Sequence, residues 1–339
     1  MISIIICSQH PIIQESLKLN IRDTIGVDYE IIHIDNSQHK FSIFEAYNKG
    51  VEKARGEFLC FMHEDVVYHS NNWGFVVEQH LALPFVGAIG VAGGCVIPNI
   101  MDWRFLEYQS VYLIQGAYTD EEKPLYYISS PAMSIKKTSL NVVASLDGVW
   151  ICIRRELFRQ IRFDETTFHE FHMYDTDICM QINKLGLGIF VTYDILLEHK
   201  SMGSFSDRYL ANLKIFHNKW KKDLPMVKGM NMPKDEIDSA IERAKSSFNR
   251  RIKEDKARIQ LRTKLIYQQP KIQDLTPQEK TLIDISAYQC RRYYINCKTI
   301  STSEVWSKVI EYIRSPYSTK RCRLLIKFIW QRIINCNQY

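Results

Sequence analysis

The stretch GEFLCFMHEDV (56–66) decides the fold class of this chain of 339 residues. Residues 58–63 are mostly apolar or aromatic, a glycine precedes them, and two carboxylates, Glu64 and Asp65, follow directly. A short apolar run bounded in this way is typical of a strand buried on both faces of a parallel sheet. Ligands of open α/β sheets bind outside the carboxyl ends of strands, where oxygen ligands suit a hard divalent cation with a phosphorylated substrate. The alternative is a strand that simply ends in an acidic turn.

Strands and helices alternate before this stretch. Residues 2–7 form an apolar run that predicts a strand, and Pro11 is well placed in the first turn of a helix that continues to about Arg22. A second strand at 30–34 and a second helix at 42–54 follow. This order predicts an α/β fold with a doubly wound, mostly parallel sheet.

The rest of the pattern separates two regions. It predicts helices at 71–83, 175–185 and 205–222, strands at 86–91 and 188–192, and a long charged helix near 234–264. Residues 95–140 contain three prolines and many tyrosines, which indicates a loop-rich insertion with one hairpin around 108–118. We therefore expect an α/β domain at 1–225 and an α-helical, basic extension at 226–339.

Composition limits the location and the partners of the chain. Residues 231–339 hold 22 Lys and Arg against 11 Asp and Glu, and all ten histidines lie before residue 218, so the two regions are expected to differ in role. The nine cysteines form no CxxC pair, which favours a reducing compartment. The sequence has neither a signal peptide pattern nor an apolar window of the length that spans a membrane. A cytoplasmic protein is expected.

Polar residues stand at three predicted strand ends, namely Ser8, Asp35 and the pair Glu64-Asp65. A nucleotide across this edge would place its base against Asp35 and its diphosphate on a cation held by Asp65. An Asx turn or a helix cap is the alternative role of Asp35. The GxGxxG motif is missing after the first strand, and GxxxxGK[ST] does not occur, so dinucleotide-binding and P-loop chemistry are not expected.

Several segments occur in a characteristic order. They are the first strand, IIHIDNS (31–37), AYNKGVEKARGEFLCFMHEDV (46–66), DGVWICIRRELF (147–158), HMYDTDICMQINKLGLGIFV (172–191) and EHKSMGS (198–204). Over roughly residues 1–220 the chain resembles the family 2 glycosyltransferases of GT-A fold, in particular the bacterial branch with HED where others carry DxD.

The resemblance implies a donor site at the strand ends. Ser8 and Asp35 would bind the nucleotide, with Asp35 facing the base. Asn48 and Gly50 match the N-x-G motif, which assigns Asn48 to the nucleotide-sugar site. Asp65 matches the last Asp of DxD and would bind Mn²⁺ or Mg²⁺ that bridges the diphosphate.

The resemblance also implies the catalytic and remaining metal residues. His63 stands in place of the first Asp of DxD, and Glu64 is expected to take over its contact with the sugar nucleotide. Asp175 matches the acid that removes the acceptor proton in inverting members, although Tyr174 replaces the glutamate before it. His199 matches a late histidine near the metal or the diphosphate, and an unprotonated imidazole is a suitable ligand.

Three residues are predicted at the acceptor site. Asp147 and Trp150 would place an acid and an aromatic ring beside the acceptor, and Trp103 would line a cleft formed by the insertion. A turn and a core tryptophan are the alternatives. Asp177 is expected to cap or brace, because residues two apart on a helix point in different directions.

The C-terminal residues 318–339 place apolar and basic side chains in separate stripes at helical spacing, with Trp330 among the apolar ones. This pattern predicts a helix on an anionic membrane surface. Packing on the first domain or on a second subunit of a homodimer is the alternative. Nucleic acid is not an expected partner.

The resemblance thus implies an inverting, metal-dependent glycosyltransferase of polysaccharide biosynthesis, and the C-terminal stripe predicts that this cytoplasmic protein is peripheral on the inner face of the plasma membrane. It would move a sugar from a UDP- or GDP-sugar to a glycan or lipid-linked acceptor. A sugar nucleotidyltransferase and a non-catalytic glycan- or membrane-binding scaffold are the alternatives.

Overall fold

The computed structural model describes residues 1–115, 125–129 (backbone only), 139–201, 205–267, 274–277 and 279. The described residues up to 252 belong to one compact unit, and those from 253 onward belong to a second. The domain boundary expected near residue 225 stays a prediction. The amphipathic segment 318–339 lies outside the described residues.

Strands and helices alternate along the described chain. The strands are β1 (Ile2–Ser8), β2 (Tyr29–Asp35), β3 (Phe58–Met62), β4 (Val66–Tyr68), β5 (Val86–Gly90), β6 (Ala92–Gly94), β7 (Val96–Ile97), β8 (Gln109–Gln115), β9 (Leu125–Ser129), β10 (Leu140–Val143), β11 (Ser145–Leu146), β12 (Trp150–Arg154), β13 (Gly188–Thr192), β14 (Leu197–His199) and β15 (Met226–Val227). The helices are α1 (Glu15–Thr24), α2 (Ile43–Lys53), α3 (Trp73–Leu81), α4 (Tyr174–Lys184), α5 (Asp207–Lys219) and α6 (Lys234–Tyr267).

The main sheet has seven strands in the order β10-β13-β5-β12-β3-β1-β2. Strands β2, β1, β3, β5 and β13 run parallel, whereas β12 and β10 run antiparallel to their neighbours. The expected mostly parallel α/β sheet is therefore confirmed. Burial explains why the strand residues are apolar, since all five residues of β3 are buried.

A second sheet includes two strands, β8 and β9, from the segment that was expected to be loop-rich. Its order is β11-β6-β8-β14-β4, and β9 also pairs with β8. The bounds expected for the hairpin, around 108–118, are wrong. Its first strand is β8, which continues to Gln115, and its second strand is β9, which pairs antiparallel with β8. The pairing satisfies backbone groups of β8 that a loop would leave unpaired in a partly buried position. A short pair, β15 with β7, completes the sheets among the described residues.

A local hydrogen-bond pair explains where α2 begins. The α2 helix has a capping box in which Ser42 and Glu45 bond each other's backbone N–H groups. Helix α1 begins at Glu15 and not near Pro11 as expected, and its N-cap residue Gln14 makes no side-chain capping bond. The Ser8 hydroxyl contacts both the N–H and the carbonyl oxygen of His10 at 2.9 Å.

The long helix expected near 234–264 is confirmed as α6. None of the helices in the described part of the chain has a stretch long and apolar enough to cross a bilayer.

Candidate active site

Three parallel strands end side by side at one edge of the main sheet. Ser8, the last residue of β1, is in register with Asp35, the last residue of β2, and Glu64 follows β3 closely. The Ser8 hydroxyl donates to one Glu64 oxygen, which also lies 3.1 Å from His10 Nδ1, and Gln9 N donates to the other at 3.1 Å. Three of the predicted nucleotide-sugar residues therefore share this edge.

Asp35 also forms the turn that was its alternative role. Its Oδ1 accepts a hydrogen bond from Ser37 N at 2.9 Å, which makes an Asx turn. Hydrogen bonds from Ser37 lower the pKa of the Asp35 carboxyl. The side chain is exposed, so an ionised carboxylate faces solvent beside Ser8.

A cluster of His63, Asp65 and His199 lies at the same end of β3. One ligand atom from each residue lies within 4.8 Å of the other two. His199 Nε2 is 3.2 Å from His63 Nδ1 and 3.4 Å from Asp65 Oδ1. The sheet pairing explains why His199 lies near Asp65. Strand β14 runs antiparallel to β4 and places His199 opposite Val66, the residue after Asp65.

Hydrogen bonds at the far side of each ring fix which nitrogen faces the cluster. His199 Nδ1 lies 3.2 Å from Gln115 Oε1, an acceptor, so Nδ1 carries the hydrogen and Nε2 has the lone pair. The Tyr174 hydroxyl donates to Gly148 O at 3.0 Å and therefore accepts from His63 Nε2 at 3.0 Å. The lone pair of His63 Nδ1 then also faces the cluster.

This arrangement fits a divalent cation. Two lone pairs that face each other across 3.2 Å repel, and a shared proton or cation relieves the repulsion. Burial, followed by the nearby His199, lowers the pKa of His63 to about 4, which keeps the ring neutral as a metal ligand requires.

A second charged cluster surrounds Arg104. Its guanidinium contacts Asp102 at 2.8 Å, Asp147 at 3.0 Å and Asp175 at 3.0 Å. Burial would lower the pKa of Arg104, but the three carboxylates raise it well above its usual value. One cation thus holds the predicted base Asp175 beside the predicted acceptor residue Asp147.

Asp175 and Asp177 differ in what they contact. Asp175 accepts from Gly148 N at 3.0 Å as well as from Arg104, and burial raises the pKa of its carboxyl. Asp177 is engaged by helix α5 and the residue after it, through Lys219 at 2.7 Å and Trp220 Nε1 at 2.7 Å. The bracing role expected of Asp177 agrees with these contacts.

Asn48 is not brought to the cluster. Its buried side-chain amide donates to Phe163 O at 2.8 Å and to Glu165 Oε2 at 2.7 Å. Because both amide hydrogens are used, Asn48 ties α2 to the 163–165 segment and has none left for a nucleotide sugar.

The two predicted acceptor tryptophans are buried. Trp150 is fully buried and donates from Nε1 to the Tyr68 hydroxyl at 2.8 Å, so it is the core residue that was the alternative. Trp103 is 3% exposed, and the Arg104 guanidinium covers its ring at 4.9 Å. Neither ring presents a face to an acceptor sugar.

The sequence pattern did not single out Arg104 or Gln115. Both lie in the insertion, where no motif marks them. Gln115 reaches His199 only because β8 and β14 pair with these two residues in register.

The comparisons with known proteins show the family of the chain. A sequence profile described as "Glycosyltransferase like family" matches residues 3–220. The chain belongs to this glycosyltransferase-like family. The expected resemblance to family 2 glycosyltransferases of GT-A fold is thereby confirmed, and so, at the level of the family, is the expected enzyme class.

Individual relatives of this glycosyltransferase-like chain are distant. It is 24% identical over 178 residues to "Amylovoran biosynthesis glycosyltransferase AmsB" of Erwinia amylovora, and the match covers 52% of this chain and 53% of that protein. The structure of GalNAc-T7 with UDP, GalNAc and Mn²⁺ aligns at a TM-score of 0.42 and 13% identity, over 63% of this chain and 46% of that one. The structure of A197 from STIV aligns at a TM-score of 0.32 and 15% identity, over 61% of this chain and 86% of that one.

Proposed function

We propose that the protein is an inverting, metal-dependent glycosyltransferase that uses a UDP- or GDP-sugar. The observation that carries the proposal is the approach of His63 Nδ1 and His199 Nε2 to 3.2 Å, with the Asp65 carboxylate beside them. This pair adjoins the strand edge where Ser8 and Glu64 meet. Imidazole together with carboxylate favours Mn²⁺ over Mg²⁺, which prefers an octahedral shell of oxygen.

The residues of the chain bind and orient the substrates around this site. Ser8, Glu64 and the exposed Asp35 would hold the nucleoside part of the donor. A divalent cation held by Asp65 and the two histidines would stabilise the negative charge of the leaving diphosphate.

Asp175 would act as the general base. It would take the proton of an acceptor hydroxyl while that oxygen bonds the anomeric carbon and the carbon–oxygen bond to the diphosphate breaks. Attack opposite the leaving group inverts the anomeric configuration. Burial favours this role, because a raised pKa makes Asp175 a stronger base than an exposed aspartate. Asp147 shares Arg104 with Asp175 and is the natural comparison in mutagenesis, since its side chain is more exposed, at 27% against 6%.

The name of the relative AmsB supports a role in polysaccharide biosynthesis, and we include a glycan or lipid-linked acceptor in the proposal. We extend the proposal to a cytoplasmic enzyme that contacts the membrane surface through 318–339. Deletion of 318–339 should then release the protein from liposomes that contain anionic lipid. Unchanged binding would exclude that segment as the anchor. A homodimer is the remaining proposal, and sedimentation of the full chain tests it.

The test of the enzymatic proposal is nucleotide release from a panel of UDP- and GDP-sugars with Mn²⁺. We expect slow release by the wild-type protein, and its loss in Asp65→Asn and His199→Gln. His69→Gln is the matched control, since His69 also pairs with a carboxylate, Glu198, at 3.0 Å. It should leave release unchanged. A protein that binds no nucleotide would instead support the non-catalytic scaffold.

A further inference from the structure

Phe171 is a large aromatic residue that stays exposed beside the metal cluster. It is 44% exposed, whereas the nearby Tyr174 is 4% exposed. The Phe171 ring lies 5.7 Å from the His63 ring and 5.8 Å from the Tyr174 ring, measured between centroids. The exposed part of the ring therefore lies beside the proposed metal ligand His63, where it can contact a ligand.

The backbone around Phe171 is held in an unusual conformation. Glu170 and Met173 both have left-handed φ values, 67° and 74°, which residues other than glycine adopt at a cost in energy. Asn212 of α5 holds the segment, because its side-chain amide donates to His169 O at 2.6 Å and to His172 O at 3.0 Å.

The start of α2 holds the same segment. Ile43 N donates to Glu170 O at 2.7 Å. Two helices therefore keep the loop, and with it the exposed ring of Phe171, in a defined place.

We propose that Phe171 is the stacking surface of the acceptor subsite and binds one face of a pyranose ring. The inference rests on the proposed function and names the substrate class at the same site. The C–H face of a pyranose is apolar and flat enough to cover an aromatic ring. The two tryptophans that the sequence offered for this role are buried, and Phe171 is the exposed ring beside His63 among the described residues.

The position of the ring assigns it to the acceptor and not to the donor. His63 lies between two groups of residues. On one side it contacts His199, which pairs with Asp65, where the diphosphate would bind. On the other side it contacts Tyr174, the first residue of the helix α4 that carries Asp175, and Phe171, which precedes that helix. A sugar on Phe171 would therefore lie next to the start of the helix that carries the proposed base.

Saturation-transfer NMR tests the subsite without turnover. The full-length protein is mixed with methyl α- and β-glycosides of glucose, galactose and N-acetylglucosamine, with and without UDP and Mn²⁺. We expect transfer to the axial C–H protons of at least one glycoside, and at least a tenfold weaker effect in Phe171→Ala. Phe171→Tyr keeps the ring and should keep the signal. Phe75→Ala removes another exposed phenylalanine, on α3 and 56% exposed, and should change nothing.

Kinetics separates the subsite from the rest of the site. Phe171→Ala should raise the KM for the responding glycoside about tenfold, which corresponds to ~1.4 kcal/mol. Donor hydrolysis by water and the affinity for UDP should stay within about twofold of wild type. Equal losses in hydrolysis and transfer would assign Phe171 to the donor or to folding and overturn the inference. An unchanged KM, or no saturation transfer to any glycoside with the wild-type protein, would also overturn it.

The proposed function fails in a different way. If the protein binds glycosides through Phe171 but binds no nucleotide, the subsite stands and the transferase proposal falls.

Discussion

His63 Nε2 lies 3.0 Å from the Tyr174 hydroxyl, so these two residues are hydrogen-bonded to each other. His63 stands at the first position of the DxD motif, and Tyr174 precedes the proposed base Asp175. The hydroxyl orients the imidazole, and Gly148 O orients the hydroxyl at 3.0 Å. A Cβ at Gly148 would meet the Tyr174 hydroxyl oxygen at 2.1 Å, so the close approach needs glycine. His63 and Tyr174 therefore form one hydrogen-bonded pair.

Loss of the Tyr174 hydroxyl should weaken metal binding. Tyr174→Phe removes the group that fixes the tautomer of His63, and partners of this kind typically account for 10–100-fold in metal affinity. Mn²⁺ titrations of wild type, Tyr174→Phe, His63→Ala and the double variant form a thermodynamic cycle. We expect a coupling of about 0.5–3 kcal/mol. Additive losses would show that the two residues act independently.

Asp175→Asn and Asp177→Asn should separate chemistry from stability. Loss of the base should lower kcat by about 10²–10⁴ without changing the affinity for UDP. Asp177→Asn breaks the link to Lys219 and Trp220, and we expect about 1–3 kcal/mol lower stability with kcat retained in the folded fraction. Urea unfolding and steady-state rates measure both. A larger loss of kcat in Asp177→Asn, or in Asp147→Asn, would move the base to that residue.

The rate of transfer should fall on the acid side at a higher pH than an ordinary aspartate would cause. Burial raises the pKa of Asp175 above its ordinary value of 3.8. Only the ionised carboxylate accepts a proton, so kcat/KM should fall as the pH drops through that raised pKa. This fall should occur at a higher pH than the titration of an exposed aspartate. Since the folded pKa exceeds the unfolded one, the contribution of Asp175 to stability is present below pH 3.8 and is lost as the pH rises through the folded pKa. A limb at or below 3.8 would contradict this assignment.

Arg104→Met should destabilise the fold strongly. It leaves Asp102, Asp147 and Asp175 without their shared cation, and loss of one partner from a buried ion pair costs about 3–5 kcal/mol. Arg55→Met breaks the contact with Glu30 at 2.8 Å, in which Arg55 is 76% exposed, and should cost less than about 1 kcal/mol. Equal effects in urea unfolding would show that the Arg104 cluster is not a structural centre.

Local patterns predicted the elements that carry most of the donor site. The apolar runs of β1 and β3 are long enough to identify buried strands, and Asp65 and His199 follow from an ordered set of motifs. Arg104 and Gln115 escaped prediction, because their partners come from β-sheet register between distant segments. Trp150 was misplaced for a related reason. The segment Asp-Gly-Val-Trp suits both an acceptor site and a turn followed by a core tryptophan. Strand β12 lies between β3 and β5, where the ring is buried.

Anomalous diffraction from a crystal soaked with Mn²⁺ and UDP tests the central claim most directly. We expect one manganese peak bound to Asp65, His63 and His199, and UDP running from that peak to Ser8 and Asp35. Manganese at another place, or UDP bound away from the ends of β1 and β2, would contradict it.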